Sequence, residues 1–515
     1  MNVAKTVLRN VAANWVGFGS QVIVTLLLTP FVIKQIGTEA YGLWLLLQSA
    51  VGYYGMVDMG LRAGLTQTIT RRIARQDYVA VRQHLGAAVP LLAVGSGIVL
   101  IAASILAATL PNLVGISESL RSIAWVIILI QAIGVAIQVP LAPFSAVLVG
   151  LQRFDVINSI SIVTRIIYAL SVWVVLAFGG GLIGLAVVIL VTNTLDSCVR
   201  LFIARRFLPE LRGMKFKFAK SEVAEMTSVG VWNFLIQISR QLIYFSDALV
   251  VGLLFSASAV APYGIAGSLV DYGNRIVVLA TRVLFPTMAA LTIEGNRDTL
   301  RTLYIGATRL TIGVSLSILI LGIAWVGPFL RLWLGETPEN AIIHEQAPSV
   351  FAMLAVAFSF VGMQRTGIQL ILAENQLKTL ASLLFCEAVI NLVLSLLLGW
   401  RFGIIGVAVG TVIPAAILGF CFHLPLHSRI LEISYSRLLQ AVLLRPLLFF
   451  GIAVTSVALV RLYFGSPETW LQLVAAGIVS GIVLVPPMAV LVSRRQRKTI
   501  FSKFSFVRKF AFQNS

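Results

Sequence analysis

The residues most capable of chemistry in this sequence are charged side chains inside long apolar stretches, where a charge is costly and is normally functional. The arginines in these stretches are Arg62, Arg165, Arg240, Arg275, Arg282 and Arg365. The acids are Asp58, Asp247, Asp271 and Glu387. A guanidinium group matches the oxygens of a phosphate or carboxylate with two parallel hydrogen bonds. The excess of arginine therefore predicts a binding site for an anionic substrate, with a phosphate or diphosphate as the obvious group.

Several of these charges share a helical face with uncharged polar residues. Steps of three and four residues, typical of one face of a helix, align Asn233, Gln237, Arg240, Tyr244 and Asp247. The same spacing aligns Asp271, Arg275 and Arg282 in one segment, Asp58 and Arg62 in a second, and Asn14 and Gln21 in a third. We expect these stripes to line a hydrated cavity between two halves of the chain. Its predicted substrate-binding residues are the six arginines together with Asn14, Gln21, Gln237 and Tyr244.

Some of these charges have an alternative role in structure. Arg62 and Arg282 lie near span ends, where a long side chain can extend to the membrane interface. Asp271 and Arg275 are four residues apart and can neutralise each other. Arg165 can pair with Glu387 across the two halves instead of binding substrate. The acids Asp58, Asp247, Asp271 and Glu387 are also candidates for coupling transport to H⁺ or Na⁺, and no other cofactor is expected.

The composition is that of a membrane protein. Of the 515 residues, 58% are hydrophobic and 11% are charged, whereas soluble domains contain about 25% charged residues. The net charge of +19 comes from loops and tails, where basic residues set topology and contact anionic lipids. We therefore do not expect nucleic-acid binding.

Fourteen apolar stretches are long enough to cross a bilayer, which needs about 20 residues for each helix. Their approximate limits are 11–33, 41–64, 85–108, 122–148, 156–178, 182–204, 228–254, 261–286, 304–327, 349–372, 379–399, 404–424, 441–463 and 469–492. Most Lys and Arg residues lie in alternate loops and in both tails. The positive-inside rule therefore predicts a multi-pass protein with both termini in the cytoplasm, and the bacterial cytoplasmic membrane is its expected location.

An internal repeat divides the chain. GLIGLA at Gly181–Ala186 returns as GIIGVA at Gly403–Ala408, and Tyr41-Gly42 returns as Tyr263-Gly264, both 222 residues later. Arg165 corresponds to Glu387 at the same offset. Six spans separate the matched elements, which predicts two six-helix lobes arranged as parallel repeats. The predicted organisation is an N-terminal lobe at 1–204, a cytoplasmic linker at 205–227, a C-terminal lobe at 228–427, and two additional helices with a basic tail at 428–515.

No enzyme signature is present in the sequence. The four histidines form no HExxH pattern, and His423 and His427, four residues apart at a span end, are expected to be interfacial. The three cysteines are far apart and indicate neither disulfides nor a metal site. There is no Walker A sequence. We therefore predict a protein that is not an enzyme.

The N-terminal sequence resembles a known transporter family. The similarity rests on NWVGFGSQVIVTLLLTPFVIKQIGTEAYGLWLLL, VDMGLRAGLTQTITR and LVGLQRFDVINSISIV. These segments are similar to the polysaccharide-transport and O-antigen flippase family of the multidrug/oligosaccharidyl-lipid/polysaccharide exporter superfamily. The resemblance implies two lobes related by a twofold axis along the membrane normal, and alternating access by a cavity that accepts a polyprenyl-diphosphate-linked glycan. Members with fourteen spans use the last two helices to form a lipid-facing groove.

The resemblance leaves three hypotheses about function. The leading one is a flippase for lipid-linked oligosaccharide or polysaccharide precursors, with membrane lipids and glycan-assembly proteins as partners. The second is a cation- or proton-coupled small-molecule antiporter of the drug-extrusion branch, which depends on acidic residues. The third is a membrane enzyme such as a glycan polymerase, but the longest external loop, 327–349, has no acid–base constellation.

Overall fold

The fold is known from a computed structural model that describes residues 3–54, 56–216 and 230–492, with the side chains of residues 3–14 and 56–63 excepted. The described residues form α-helices joined by short turns and contain no strand. The helices are α1 (Val3–Ile36), α2 (Thr38–Tyr54), α3 (Met56–Ala74), α4 (Tyr78–Leu113), α5 (Glu118–Gly150), α6 (Phe154–Ala177), α7 (Gly181–Phe207), α8 (Gly230–Leu254), α9 (Ala257–Arg282), α10 (Leu284–Ile293), α11 (Arg297–Leu334), α12 (Ala341–Ala373), α13 (Leu377–Leu418), α14 (Leu424–Ile430), α15 (Tyr435–Phe464) and α16 (Trp470–Met488).

The helices confirm an all-α polytopic membrane protein. Twelve segments of the described chain are long and apolar enough to cross a membrane. One of them, Leu377–Ile430, has 54 residues and holds two predicted spans, because helix α13 is broken at Gly403. The predicted second span is divided between α2 and α3 and is not among the twelve. All fourteen predicted spans therefore have a helical counterpart.

Contacts within the chain define two compact units. The first unit comprises Met1–Gly264 and Leu384–Leu392, and the second comprises Ile265–Leu383 and Val393–Ser515. In the first unit, buried apolar residues of α3, α4, α5 and α7 form a shared core, represented by Leu65, Leu85, Val147 and Ala204. In water-soluble proteins, burial of one large apolar side chain stabilises the fold by roughly 1.5–3 kcal/mol. Between membrane helices, close van der Waals packing is the main source of stability.

The second unit contains a separate core where the last two helices pack against α11. Trp325, Phe449 and Ala476, from α11, α15 and α16, are buried there. The Trp325 indole nitrogen donates a hydrogen bond of 3.1 Å to the Ser480 hydroxyl, and the Arg461 guanidinium lies over the same indole ring. The lobe boundaries predicted from the repeat, and the predicted cavity between the lobes, stay predictions. Residues 217–229 of the predicted linker lie outside the described residues.

The sequence repeat has a counterpart in the order and length of the helices. Helices α4, α5, α6 and α7 begin at residues 78, 118, 154 and 181. Helix α11, helix α12 and the two halves of α13 begin at residues 297, 341, 377 and 403. The starting residues therefore differ by 219 to 223 positions. At the GLIGLA and GIIGVA motifs, Gly181 and Gly403 both have positive φ, at 53° and 69°, a conformation that glycine adopts without steric cost.

The repeated Tyr-Gly pair packs within the first unit, where its two glycines serve close helix contact. A Cβ atom at Gly42 in α2 would overlap the carbonyl oxygen of Ala257 at the start of α9. A Cβ atom at Gly264 would lie 2.6 Å from the Leu45 Cδ1 atom. Small residues at such positions let membrane helices approach each other closely. The two glycines of the motif therefore allow α2 and the first turns of α9 to pack closely.

Replacing Gly42 by alanine is expected to destabilise the protein. Alanine improves helix propensity by about 0.5–1 kcal/mol, but the overlap with a backbone carbonyl costs about 1–3 kcal/mol or more and therefore dominates. Gly267→Ala is the matched control, because its nearest neighbour, a Leu354 methyl carbon, would lie 3.9 Å away. Thermal unfolding in detergent should show a lower midpoint for Gly42→Ala alone. Equal midpoints for the two variants would contradict this packing.

Candidate functional site

Arg165 connects two helices of the first unit. Its Nη1 atom, on α6, donates hydrogen bonds of 2.8 Å to the Gly17 carbonyl oxygen and of 2.8 Å to the Ser20 hydroxyl on α1. The Ser20 hydroxyl in turn donates to the Gly17 carbonyl oxygen at 2.8 Å. Gln21 follows on α1 and is half-buried. The geometry gives Arg165 a role in holding α6 against α1, and substrate binding by Arg165 and Gln21 stays a prediction.

The polar stripe of α8 changes from exposed to buried along the helix. Gln237 and Arg240 are half-buried and Tyr244 is exposed. Asp247 is only 5% exposed, and its Oδ2 atom accepts a hydrogen bond of 2.6 Å from the Tyr263 hydroxyl on α9. A carboxylate buried this deeply is retained in a membrane helix where it binds or exchanges a cation, or where it holds a partner. The stripe therefore combines an accessible polar part with a buried acid.

The second unit brings three of the predicted residues into one hydrogen-bonded network. The Arg275 Nε atom lies 2.7 Å from the Asp271 Oδ2 atom, one turn earlier on α9. Asn274, between them in sequence, donates from Nδ2 to the Asp271 Oδ1 atom at 3.3 Å. Arg365 on α12 donates from Nη2 to the Asn274 Oδ1 atom at 2.9 Å. The Asn274 amide thus connects two arginines of different helices through one aspartate.

Arg282 and Glu387, two other predicted residues, differ in their exposure. Arg282 is the last residue of α9 and is exposed. Glu387 lies in the α13 segment that belongs to the first unit and is 5% exposed. The side chains of Asn14, Asp58 and Arg62 lie outside the described residues. Their proposed roles stay predictions.

A third Asp–Arg pair, which the sequence analysis did not single out, lies near the end of the predicted span 182–204. Helix α7 continues to Phe207, so Arg200 lies within it, one turn after Asp196. The Arg200 Nε atom lies 2.5 Å from the Asp196 Oδ2 atom, and Nη2 donates to Oδ1 at 3.1 Å. The sequence signal for this pair is an aspartate followed four residues later by an arginine. The same separation in sequence is found at Asp58 and Arg62 and at Asp271 and Arg275. The pair lines a polar cavity described below.

The histidine pair is buried within the protein, and its predicted position at the level of the membrane interface stays a prediction. His423 and His427 are each 1% exposed, and the Tyr304 hydroxyl lies 2.8 Å from the His427 Nδ1 atom. Tyr304 lies on α11, so this contact connects α11 to α14. Within the described residues, no group of three or more His, Cys, Asp or Glu side chains is placed to hold a metal ion.

Comparison with known proteins gives a family match and two related sequences. Residues 7–292, more than half of the chain, match the family described as "Polysaccharide biosynthesis protein". The "Uncharacterized membrane protein EpsK" of Bacillus subtilis (strain 168) is 24% identical over 513 residues, which cover 96% of this chain and 97% of that protein. A "Putative O-antigen transporter" of Shigella flexneri is 20% identical over 410 residues, which cover 78% of this chain and 94% of that protein.

Solved structures share the fold at low sequence identity. The lipid II flippase MurJ, in an inward closed conformation, has a TM-score of 0.68 at 13% identity, covering 94% of this chain and 98% of that chain. An inward-facing multidrug resistance transporter of the MATE family, in the MOP superfamily, has a TM-score of 0.67 at 16% identity, covering 80% of this chain and 96% of that chain. At these identities the similarity concerns the fold alone.

Proposed function

Because this chain belongs to the polysaccharide biosynthesis protein family, we propose that it is a flippase for polyprenyl-diphosphate-linked oligosaccharide or polysaccharide precursors. The names of two similar proteins, a putative O-antigen transporter and a lipid II flippase, support this substrate class. The chain is a multi-pass membrane protein. We place it in the bacterial cytoplasmic membrane with both termini in the cytoplasm, and we propose that it works by alternating access.

The observation that carries the proposal is the network of Asp271, Asn274, Arg275 and Arg365. Two guanidinium groups lie there on different membrane helices and are connected to one carboxylate, Arg275 directly and Arg365 through Asn274, so these four residues together carry a net positive charge. A diphosphate has oxygens enough to bind both guanidinium groups, each by charge-assisted hydrogen bonds. The network thus provides the charge that a diphosphate-linked lipid requires.

The network also provides a way to release the substrate. Asp271 holds Arg275 in an ion pair of 2.7 Å, so an arriving diphosphate competes with the carboxylate for the same guanidinium. The side chains of Arg275 and Asp271 are 46% and 30% exposed, which keeps the ion pair weak enough to exchange. We propose that Asp271 neutralises Arg275 before loading and again after release.

Other parts of the proposal concern partners and energy. Membrane lipids and glycan-assembly proteins of the same pathway are the proposed partners. We propose no catalytic step and no cofactor. Movement of one charge through 100 mV supplies about 2.3 kcal/mol, and H⁺ or Na⁺ bound at an acid such as Asp247 is an alternative energy source.

A second candidate function is a cation- or proton-coupled drug antiporter. The observations that favour it are the shared fold of a multidrug transporter and the buried carboxylate of Asp247. A buried acid suits a cation, whereas the arginine network suits an anion. The two functions therefore differ in the charge of the transported molecule.

Reconstitution into vesicles tests which molecule moves. We expect the purified full-length protein to accelerate the transbilayer movement of a fluorescent polyprenyl-diphosphate oligosaccharide, measured as the fraction that a membrane-impermeant quencher reaches. Vesicles that contain no protein give the background rate, and polyprenyl monophosphate without sugar tests whether the full headgroup is needed. Transport of an organic cation such as ethidium, without movement of the glycolipid, would replace the flippase proposal by the antiporter.

A further inference from the structure

We infer that a polar cavity inside the first unit binds an uncharged sugar residue of the transported glycan, an inference that rests on the proposed function. The cavity has a volume of about 350 Å³ and lies between α3, α5 and α7. Its polar lining consists of Thr66, Gln138, Ser145, Asp196, Ser197 and Arg200. This volume is at the lower end of the roughly 300–1,000 Å³ typical of ligand pockets, so it suits one small group and not a whole glycan.

The charged side chains of the cavity are held by hydrogen bonds within α7 and between α7 and α6. Arg200 binds Asp196 through two hydrogen bonds and donates from Nη2 to the Ser161 hydroxyl on α6 at 2.8 Å. The Thr164 hydroxyl, also on α6, donates to the Asp196 Oδ1 atom at 3.2 Å. The pair is therefore rigid and carries no net charge.

Several hydrogen-bonding groups of this lining have no protein partner. Among the described residues, no acceptor bonds to the Arg200 Nη1 atom, which carries two N–H donors. The Gln138 amide donates to the Gly134 carbonyl oxygen at 3.0 Å, and within the described chain its Oε1 atom accepts no hydrogen bond. The Ser145 hydroxyl likewise has no partner in the part of the chain that the structure describes. The cavity thus offers a guanidinium donor, an amide acceptor and a hydroxyl that can do both.

This combination of hydrogen-bond donors and acceptors favours a ligand that carries hydroxyl groups. A phosphate accepts hydrogen bonds only, and an arginine already neutralised by an aspartate attracts it weakly. A cation requires several acceptor oxygens. Here the two N–H groups of the Arg200 Nη1 atom, which have no protein acceptor among the described residues, are donors and would repel a cation. A sugar hydroxyl both donates and accepts, so it can satisfy the Arg200 donors, the Gln138 oxygen and the Ser145 hydroxyl together.

A purely structural role does not explain all of the polar residues that line the cavity. Polar side chains within membrane helices are costly unless they are satisfied or face a polar ligand. The hydrogen bonds of the Asp196–Arg200 pair with Ser161 and Thr164 are sufficient to hold α6 against α7. Gln138 and Ser145 add nothing to that contact, yet both face the cavity. Close packing would instead fill such a space with apolar side chains.

The test uses the full-length protein in lipid nanodiscs and two defined probes. One probe is polyprenyl diphosphate, and the other is the same lipid carrying one N-acetylhexosamine. We expect the double variant Gln138→Leu/Ser145→Ala to bind the glycosylated lipid roughly tenfold more weakly than the unmodified protein does, which is the loss expected for two neutral hydrogen bonds. Its affinity for polyprenyl diphosphate should be unchanged, and this also shows that the variant is folded.

Gln131→Leu is the matched control, because Gln131 is a buried glutamine of the same helix that does not line the cavity. It should bind both probes as the unmodified protein does. Equal affinity of the double variant and the unmodified protein for the glycosylated lipid would overturn the sugar subsite. An equal loss for both probes would also overturn it, because the cavity would then not distinguish the sugar. Failure of the unmodified protein to bind either probe would instead reject the proposed function.

Discussion

Replacing Arg275 and Arg365 together by glutamine is expected to reduce transport of a polyprenyl-diphosphate glycan by at least about 100-fold. A hydrogen bond between a charged group and its partner contributes about 1.5–3 kcal/mol, so two lost guanidinium contacts amount to roughly 3–6 kcal/mol. Because Asn274 connects the two arginines, their effects should not be additive. Glutamine keeps a polar side chain that can donate hydrogen bonds while removing the charge. The measurement is the initial rate of glycolipid movement in vesicles.

The control for this prediction is Asp271→Asn, for which we expect the opposite change in affinity. Without the carboxylate, Arg275 loses the ion pair that competes with a diphosphate for its guanidinium. Binding of the diphosphate should then become several-fold tighter, while release, and with it the maximal rate, becomes slower. If the double glutamine variant transported the glycolipid at the normal rate, the network would be structural and the substrate would bind elsewhere.

The second large effect is expected at the buried acid of the first unit. Asp247→Asn should abolish the dependence of transport on an imposed H⁺ or Na⁺ gradient, because an amide can neither release a proton nor neutralise a cation. Asp247 is 5% exposed and close to the Tyr263 hydroxyl, so exchange of an ion there requires a change of conformation. Such a site can connect ion binding to the alternation of states. The measurement compares transport rates with and without each gradient.

Tyr263→Phe distinguishes a role of Asp247 in ion coupling from a role in stabilising the fold. It removes the hydrogen-bond donor to Asp247 and keeps the carboxylate, so we expect a loss of stability of about 1.5–3 kcal/mol with gradient dependence retained. Should Asp247→Asn keep its full response to both gradients, the carboxylate would be structural, and the membrane potential acting on the charged substrate would remain as the energy source.

The helical counterpart of each predicted span could be predicted from the sequence because an apolar stretch depends on local composition. An apolar stretch of about 20 residues has one stable environment, the bilayer core, wherever its neighbours lie. The helical spacing of Asn233, Gln237 and Arg240 likewise follows from the geometry of one helix. The offset of 222 residues at Gly181 and Gly403 anticipated two helix breaks with the same backbone conformation.

The partners of each charge could not be predicted, because a contact between helices depends on their rotation and on the depth of each residue. Only the tertiary structure shows that Arg165 binds the backbone of α1 and that Arg365 reaches Asn274. It also shows that Arg200 binds Asp196 and donates to the Ser161 hydroxyl on α6.

The burial of His423 and His427 was beyond sequence reasoning for the same reason. Their position at the end of an apolar stretch indicates the interface, but only the packed helices show that both side chains are buried and that the Tyr304 hydroxyl of α11 lies beside His427. By itself the sequence determined which segments enter the membrane and which family the segments resemble, since hydrophobicity acts on each segment separately. The tertiary structure decided which polar groups neutralise one another and which remain available to a ligand, since only packed helices bring those groups within hydrogen-bonding distance.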